Sequence, residues 1–253
     1  MGSIQIFPGK AAATKAVATL ADVWRVAPVP GSGAIKVRAA RVEDYAALRA
    51  LERQAHSGLP PLTLRQFEAR RHVFPEGQWV AECGGAIVGA ASSMIVAWDA
   101  YPIHASWKAI TADGTFATHD PHSHTLFGSD LVADASRRGF GVGRALSLAR
   151  RRLCRRLNLR RIACALPLPG HAALGDEMPP DLYARRAVWG EIDEPLLRFH
   201  LAQGFQYCGI LPDFFPGEGA SARPAALVAW LNPLYAPPGP SAFAASQRAR
   251  KCA

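Results

Sequence analysis

Apolar and polar residues alternate at Ile35-Lys36-Val37-Arg38, the period of a half-buried strand. The period then lengthens. Tyr45, Leu48, Leu51 and Ala55 recur at helical spacing behind Asp44, which can cap them. Thr63 can cap a second helix running to about His72. Trp79–Cys83 and Ala86–Ala90 flank Gly84-Gly85 and predict two strands joined by a tight hairpin. Positions 98–123 keep no steady period and are expected to form a long irregular excursion. Leu126–Ala133 reads as a strand that enters a glycine-rich turn, with a helix from there to about Leu157. The short apolar run Ile162–Leu166 suits a buried central strand. A second excursion, 168–192, is expected to carry a helix near Asp181–Val188. Asp193 can then cap a helix with Pro195 in its first turn, ending at Gly204. Strands near Phe205–Leu211 and Ala225–Leu231 close the pattern. The order β-α-α-β-β-β-α-β-α-β-β predicts one α+β domain on a mixed sheet.

The ends differ from this body. Residues 1–33 finish in Pro28-Val29-Pro30-Gly31-Ser32-Gly33, a linker composition, and 236–253 form a basic tail with Arg248, Arg250 and Lys251. The expected division is therefore an N-terminal extension over 1–33, a domain over 34–235 and a flexible tail over 236–253. With 49% hydrophobic and 19% charged residues, the chain can build an ordinary core. It lacks a long apolar run and a secretory leader pattern, so a cytoplasmic protein without membrane span is expected. Cys83, Cys154, Cys164, Cys208 and Cys252 are odd in number, and none forms a CxxC pair, which argues against a disulfide framework or a zinc site. A net charge of +9 favours anionic partners without choosing among them.

Chemistry concentrates in Arg138-Gly139-Phe140-Gly141-Val142-Gly143-Arg144, between a strand and a helix. Glycines let backbone approach a ligand, and the first turn of a helix leaves amides unpaired at the positive end of its dipole. A pyrophosphate fits such a place, and a glycine-rich strand-to-helix turn without a ligand is the alternative. A P-loop is excluded because no Gly-Lys-Ser/Thr follows, and a Rossmann loop is excluded because the glycines stand at 139, 141 and 143.

The pattern Arg138-x-x-Gly141-x-Gly143 resembles the CoA-binding motif of the GNAT acyltransferase superfamily. The resemblance covers about Ile35 to Pro233 and includes the junction Phe199-His200-Leu201-Ala202-Gln203-Gly204-Phe205. Thr118-His119-Asp120-Pro121, Asp176-Glu177-Met178 and Gly190-Glu191-Ile192 resemble the GNAT domain fused ahead of a carbon–nitrogen hydrolase in some bacterial proteins. No hydrolase domain is expected in this chain. The resemblance implies a mostly antiparallel sheet, splayed where CoA binds, and acetyl transfer from acetyl-CoA to a primary amine without a metal. It implies that Leu131, Val132 and Ala133 lie along the pantetheine arm. The amides of Gly139, Phe140, Gly141, Val142, Gly143 and Arg144 would hold the pyrophosphate, helped by the Arg138 and Arg144 side chains. One departure stands before the loop: Ala133-Asp134-Ala135 replaces the Val-x-Pro of many relatives.

The reaction needs a base for the ammonium, a donor for the oxyanion and a proton for the thiolate. The resemblance points to an amide near Val132 for the oxyanion. It puts His200 where many relatives carry a tyrosine acid, against the alternative of a structural histidine. Asp130 on the key strand is the first candidate base, with structural capping as its alternative, and Glu82 on the hairpin is the second. His119, His122 and His124 read as a turn that shapes the acceptor entrance rather than a metal site. Trp98, Tyr101, Trp107, Tyr183 and Trp189 on the excursions can pack or cover an acceptor pocket. Arg150, Arg151, Arg152, Arg155, Arg156, Arg160 and Arg161 are expected to lie mostly in solvent, opposite the apolar face of Leu146, Ala149, Leu153 and Leu157. They could attract CoA; nucleic acid is the lesser alternative, because aromatics are not interleaved. A CoA-binding sensor without turnover is the other alternative. The acceptor amine and the choice between monomer and homodimer are open.

Overall fold

The computed structural model describes residues 24–26, 34–55, 61–174, 177–216 and 222–237. The Pro/Gly linker, the basic tail beyond 237, Asp176 and Cys252 lie outside the described residues.

The strands are β1 (Trp24–Val26), β2 (Ile35–Ala39), β3 (Gln78–Cys83), β4 (Ala86–Val96), β5 (Thr125–Ala133), β6 (Arg161–Pro167), β7 (Gln206–Pro216) and β8 (Ala222–Leu231). The helices are α1 (Tyr45–Ala55), α2 (Leu64–Val73), α3 (Trp107–Thr111), α4 (Val142–Arg156), α5 (Pro169–Leu174), α6 (Pro180–Val188) and α7 (Pro195–Ala202). One sheet carries the strands in the order β1-β2-β3-β4-β5-β6-β8-β7. Among the described strands β5 and β6 run parallel, and the other neighbours run antiparallel. This is the expected α+β architecture.

Alternation along the strands gives both faces of the sheet apolar side chains, and each face takes its own helices. Val142, Ala145, Leu146 and Ala149 of α4 pack on Val37, Trp79, Val88 and Ala91. On the other face Leu48 of α1 and Phe67 of α2 pack on Ala40 and Val80. The first excursion lays Trp107, Ile110 and Phe116 over Met94 and Phe127. The second sets Tyr183 and Ala184 of α6, with Leu197 of α7, against Leu166 and Trp230. Each fully buried Leu or Phe stabilises the fold by roughly 1.5–3 kcal/mol.

Local details differ from expectation for identifiable reasons. Thr63 does cap α2, in a reciprocal pair with Gln66. Asp44 instead sits inside a 3-10 turn, where its carboxylate takes the Arg41 amide and the Arg38 guanidinium. Helix α7 begins after Glu194, not Asp193; Asp193 pairs with Arg198 within that helix. Residues 24–26, inside the expected extension, pair as an edge strand with β2. Both excursions carry helices of their own, and α5 follows β6 directly.

The feature that positions the site is a parting of strands. β5 and β6 pair only from Thr125↔Arg161 to Gly128↔Cys164. Beyond Gly128, β5 keeps β4 on one side, with a register shift at Ser92/Ser93, and among the described residues has no strand on the other. A wedge opens there between Ser129–Ala133 and the end of β6.

Candidate functional site

Backbone groups of an antiparallel pair point alternately toward and away from the partner. Asp134 N–H donates to Val88 O at 2.9 Å, and the register runs Ala133↔Gly89, Val132↔Ala90, Leu131↔Ala91 and Asp130↔Ser92. Asp130, Val132 and Asp134 therefore direct their amides and carbonyls to β4. Those of Leu131 and Ala133 face the wedge. Near Val132, the amide turned toward the wedge is that of Leu131; the Val132 amide is turned into the ladder.

The strand runs into the glycine loop through a short turn. The Asp134 carboxylate accepts from Ser136 N–H at 2.9 Å and Ser136 Oγ–H at 2.8 Å, so its charge is spent on its own turn. Arg137, Arg138 and Phe140 give their amides to Asp134 O, Ala135 O and Arg137 O. The Phe140 amide is thereby removed from the expected phosphate donors. Among the described residues, the amides of Gly139, Gly141, Val142, Gly143 and Arg144 have no hydrogen-bond partner, and no side chain caps α4. Gly139 and Gly141 adopt φ of +83° and +86°, where a side chain is strained. Gly143 serves another end: a Cβ there would lie 3.1 Å from the Phe199 ring, so it lets α7 approach α4 closely. Arg138 and Arg144 are exposed beside these amides.

On the α1–α2 side of β5 lies a cavity of about 30 Å³, lined by Leu48, Glu52, Phe67, Arg70, Asp130 and Val132 among others. Such a volume holds about two water molecules. Asp130 is not a free base: Arg70 Nη1 holds its Oδ2 at 2.7 Å. Arg70 is itself buried, donates from Nε to Gly114 O at 2.7 Å and lies 4.5 Å over the Phe116 ring. Glu52 is different. Its Oε2 accepts the Leu62 amide at 3.0 Å, and burial, with the nearby Asp130 charge, pushes its carboxyl above the ordinary range. Neither Glu52 nor Arg70 stood out in the sequence, because α1, α2 and β5 meet only in the fold.

His200 is buried, and its Nδ1 lies 2.8 Å from Leu196 O. A carbonyl only accepts, so Nδ1 carries the proton. Burial pushes its pKa down to about 4, leaving a neutral ring near pH 7. That disfavours the expected proton donor; a neutral imidazole can accept through Nε2. Glu82 is bound to Arg38, whose Nε donates at 2.8 Å, and Arg38 also holds Asp44. The Glu82 carboxylate belongs to that ion-pair cluster on β2 and β3 rather than to the wedge.

The arginine-rich segment is not uniformly solvated. Arg150 is buried, Arg151 bonds Gln203, Arg155 lies over Trp230 and Arg161 donates to Thr125 Oγ1. His119 stacks on Phe74 and accepts the Ile95 amide at Nδ1, a packing role. Trp107 is buried too, donating from Nε1 to Ser129 Oγ at 3.1 Å where the strands part. Trp189 is 65% exposed. Among the described residues no cluster of three or more His, Cys, Asp or Glu could hold a metal, and no helix is long and apolar enough to cross a membrane.

No family model matches the chain. It is 32% identical over 187 residues to "Probable hydrolase YhcX" of Bacillus subtilis, a match of 74% of this chain and 36% of that protein. The chain thus spans about a third of that relative's length. It is 24% identical over 170 residues to "Uncharacterized N-acetyltransferase YkwB" of the same organism, covering 67% of this chain and 75% of that one. Among solved structures, the loading GNATL domain of CurA from Lyngbya majuscula superposes with a TM-score of 0.66 at 19% identity, over 78% of this chain and 98% of that one. The GphF GNAT-like decarboxylase in complex with isobutyryl-CoA gives 0.61 at 24% identity, again over 78% and 98%.

Proposed function

We propose that this chain, which has the GNAT fold, transfers an acyl group from acyl-CoA to a primary amine, with acetyl as the simplest donor. One observation carries the reading: the wedge-facing edge of Leu131 and Ala133 leads directly into the unpartnered amides of Gly139 and Gly141–Arg144. A pantetheine arm carries amides and can pair with such an edge as an added strand, while its diphosphate meets the helix N-terminus. Similarity to YkwB and to a structure holding isobutyryl-CoA supports the same reading.

In the proposed reaction the amine loses a proton to Glu52, directly or through a cavity water. Its lone pair forms the C–N bond, and the carbonyl π pair moves to oxygen beside the Leu131 amide. Collapse breaks the C–S bond, and the proton left over on the attacking nitrogen passes to the departing sulfur, so the neutral amide forms and CoA leaves as its thiol. Asp130, held by Arg70, orients the amine, and His200 supports the wall behind the thioester as a neutral ring. The reading places the reaction in the cytoplasm and without a metal. Acetyl-CoA should raise the melting temperature as its concentration passes the dissociation constant. An amine panel followed by thiol release should then show turnover. Stabilisation without turnover would favour a sensor; no stabilisation, with salt-sensitive nucleic-acid binding, would favour the rival class.

A second reading is loss of CO2 from a carboxyacyl-CoA. It is favoured by the buried Arg70 guanidinium beside the cavity and by similarity to a GNAT-like decarboxylase. Arg70 is already paired with Asp130, which ranks this reading second. CO2 release from malonyl-CoA without any amine would reverse the order.

A further inference from the structure

We propose that Arg150 is a positioning residue of the acyl-transfer site: it polarises the Asp130–Leu131 peptide and so strengthens the Leu131 amide that faces the thioester oxygen. The inference rests on the acyl-transfer reading given above and extends it to a residue the reaction does not touch.

Arg150 stands on α4 with 3% of its surface exposed. A buried guanidinium usually meets a carboxylate. This one bonds neutral oxygens instead. Nε donates to Ser93 Oγ at 3.0 Å, and Nη2 donates to Ser92 O at 2.8 Å and to Asp130 O. All three acceptors lie where the β4–β5 register shifts, level with the point at which β5 leaves β6. The Asp130 carboxylate, which attracts Arg150 electrostatically from the other face of β5, is already bound by Arg70; the buried Cys164 thiol and the neutral His200 ring are the other titratable neighbours.

The consequence follows from the geometry of one planar unit. The Asp130 carbonyl and the Leu131 N–H belong to the same trans peptide and point in opposite directions. The first meets the guanidinium; the second faces the wedge. A cation bonded to the carbonyl draws electron density through the amide and makes its N–H a better donor. The same fixed charge, in a water-poor interior, favours negative charge developing one peptide away. A purely structural Arg150 would pin the bulge and do nothing to the thioester carbonyl, so the two roles separate by spectroscopy.

The test uses acetyl-CoA labelled with 13C at the carbonyl, bound to wild type, Arg150→Gln and Arg150→Lys, with the carbonyl stretch read by infrared difference. Wild type should shift the stretch below its value in free acetyl-CoA. In both variants it should relax toward the free value, Arg150→Lys less than Arg150→Gln. The kcat should fall about tenfold or more while KM for acetyl-CoA stays within about threefold, the ratio expected when an interaction is made mainly in the transition state. Should Arg150→Gln fail to fold, Arg150→Lys carries the test. A folded variant with an unchanged stretch, or with a raised KM and intact kcat, would overturn the inference. Failure of wild type to bind acetyl-CoA at all would instead sink the acyl-transfer reading beneath it.

Discussion

The two ends of β5 differ in what their backbones have left to give. Thr125–Gly128 pair with β4 and β6, their side chains are buried, and every ladder position is used. Ser129 is the extra residue at the register shift, and Asp130–Ala133 pair with β4 alone and are half-buried. The closed end contributes stability, and the open end offers a ligand an unused edge. An open end must be held by other means than a ladder. Side chains from three helices do this: Trp107 bonds Ser129, Arg70 bonds Asp130, and Arg150 bonds the Asp130 carbonyl. Function in this fold therefore costs extra tertiary bonds at the place where sheet pairing is given up.

The contrast can be broken most severely at the open end. Glu52→Gln should lower kcat by about a hundredfold and leave acetyl-CoA affinity intact. Because Glu52 must be ionised to accept a proton, and its carboxyl titrates above the ordinary range, wild-type rate should rise with pH through that titration. The variant should lose that limb; a preserved limb would remove Glu52 from the reaction. Gly141→Glu places a carboxylate among the free amides at a φ of +86°. Acetyl-CoA should then bind at least about a hundredfold more weakly, a loss of about 2.7 kcal/mol, with circular dichroism unchanged. Equal affinity would mean that the open end does not lead to the cofactor.

The flanking helix α7 gives a pH test. His200 titrates near 4 when folded and near 6.5 when unfolded. Below about 6.5 the unfolded chain takes up a proton that the folded chain refuses, so stability is full above that pH and falls toward pH 4. The loss is roughly 3 kcal/mol, measurable by urea unfolding across the range. His200→Gln should flatten that segment of the curve; an unchanged slope would show that the ring is charged in the fold. The smallest effect belongs to the closed end. A Cβ at Gly128 would lie 2.7 Å from Cys164 Sγ and 3.0 Å from Arg150 Cζ. Gly128→Val should therefore lose roughly 1–3 kcal/mol in unfolding. An undisturbed midpoint would mean that this end is not tightly packed.

Much of this contrast was legible in the sequence. Helical spacing in α1 and α4, the apolar run of β6 and the glycines before α4 each follow from local chemistry. The wedge residues 131–133 and the loop came from the family pattern, whereas their alternation toward and away from β4 required the register. Arg150 left a signal that the arginine-rich context hid: it stands four residues after Leu146 and three before Leu153, on the buried stripe of α4. Glu52 and Arg70 left none, since nothing local tells a helix which carboxylate of a distant strand it will meet. His200 was found by position, but its neutral state depends on burial between Phe199 and Phe205, which is tertiary.

The account stands on the proposal that these unpartnered backbone amides bind a diphosphate and a pantetheine arm. Titrating CoA into 15N-labelled protein and following the amide resonances tests it directly. Gly139, Gly141, Val142, Gly143, Arg144, Leu131 and Ala133 should move together with one dissociation constant, while Val132 and Phe140 move less. Saturable binding that leaves the loop and the wedge-facing amides unmoved would contradict it.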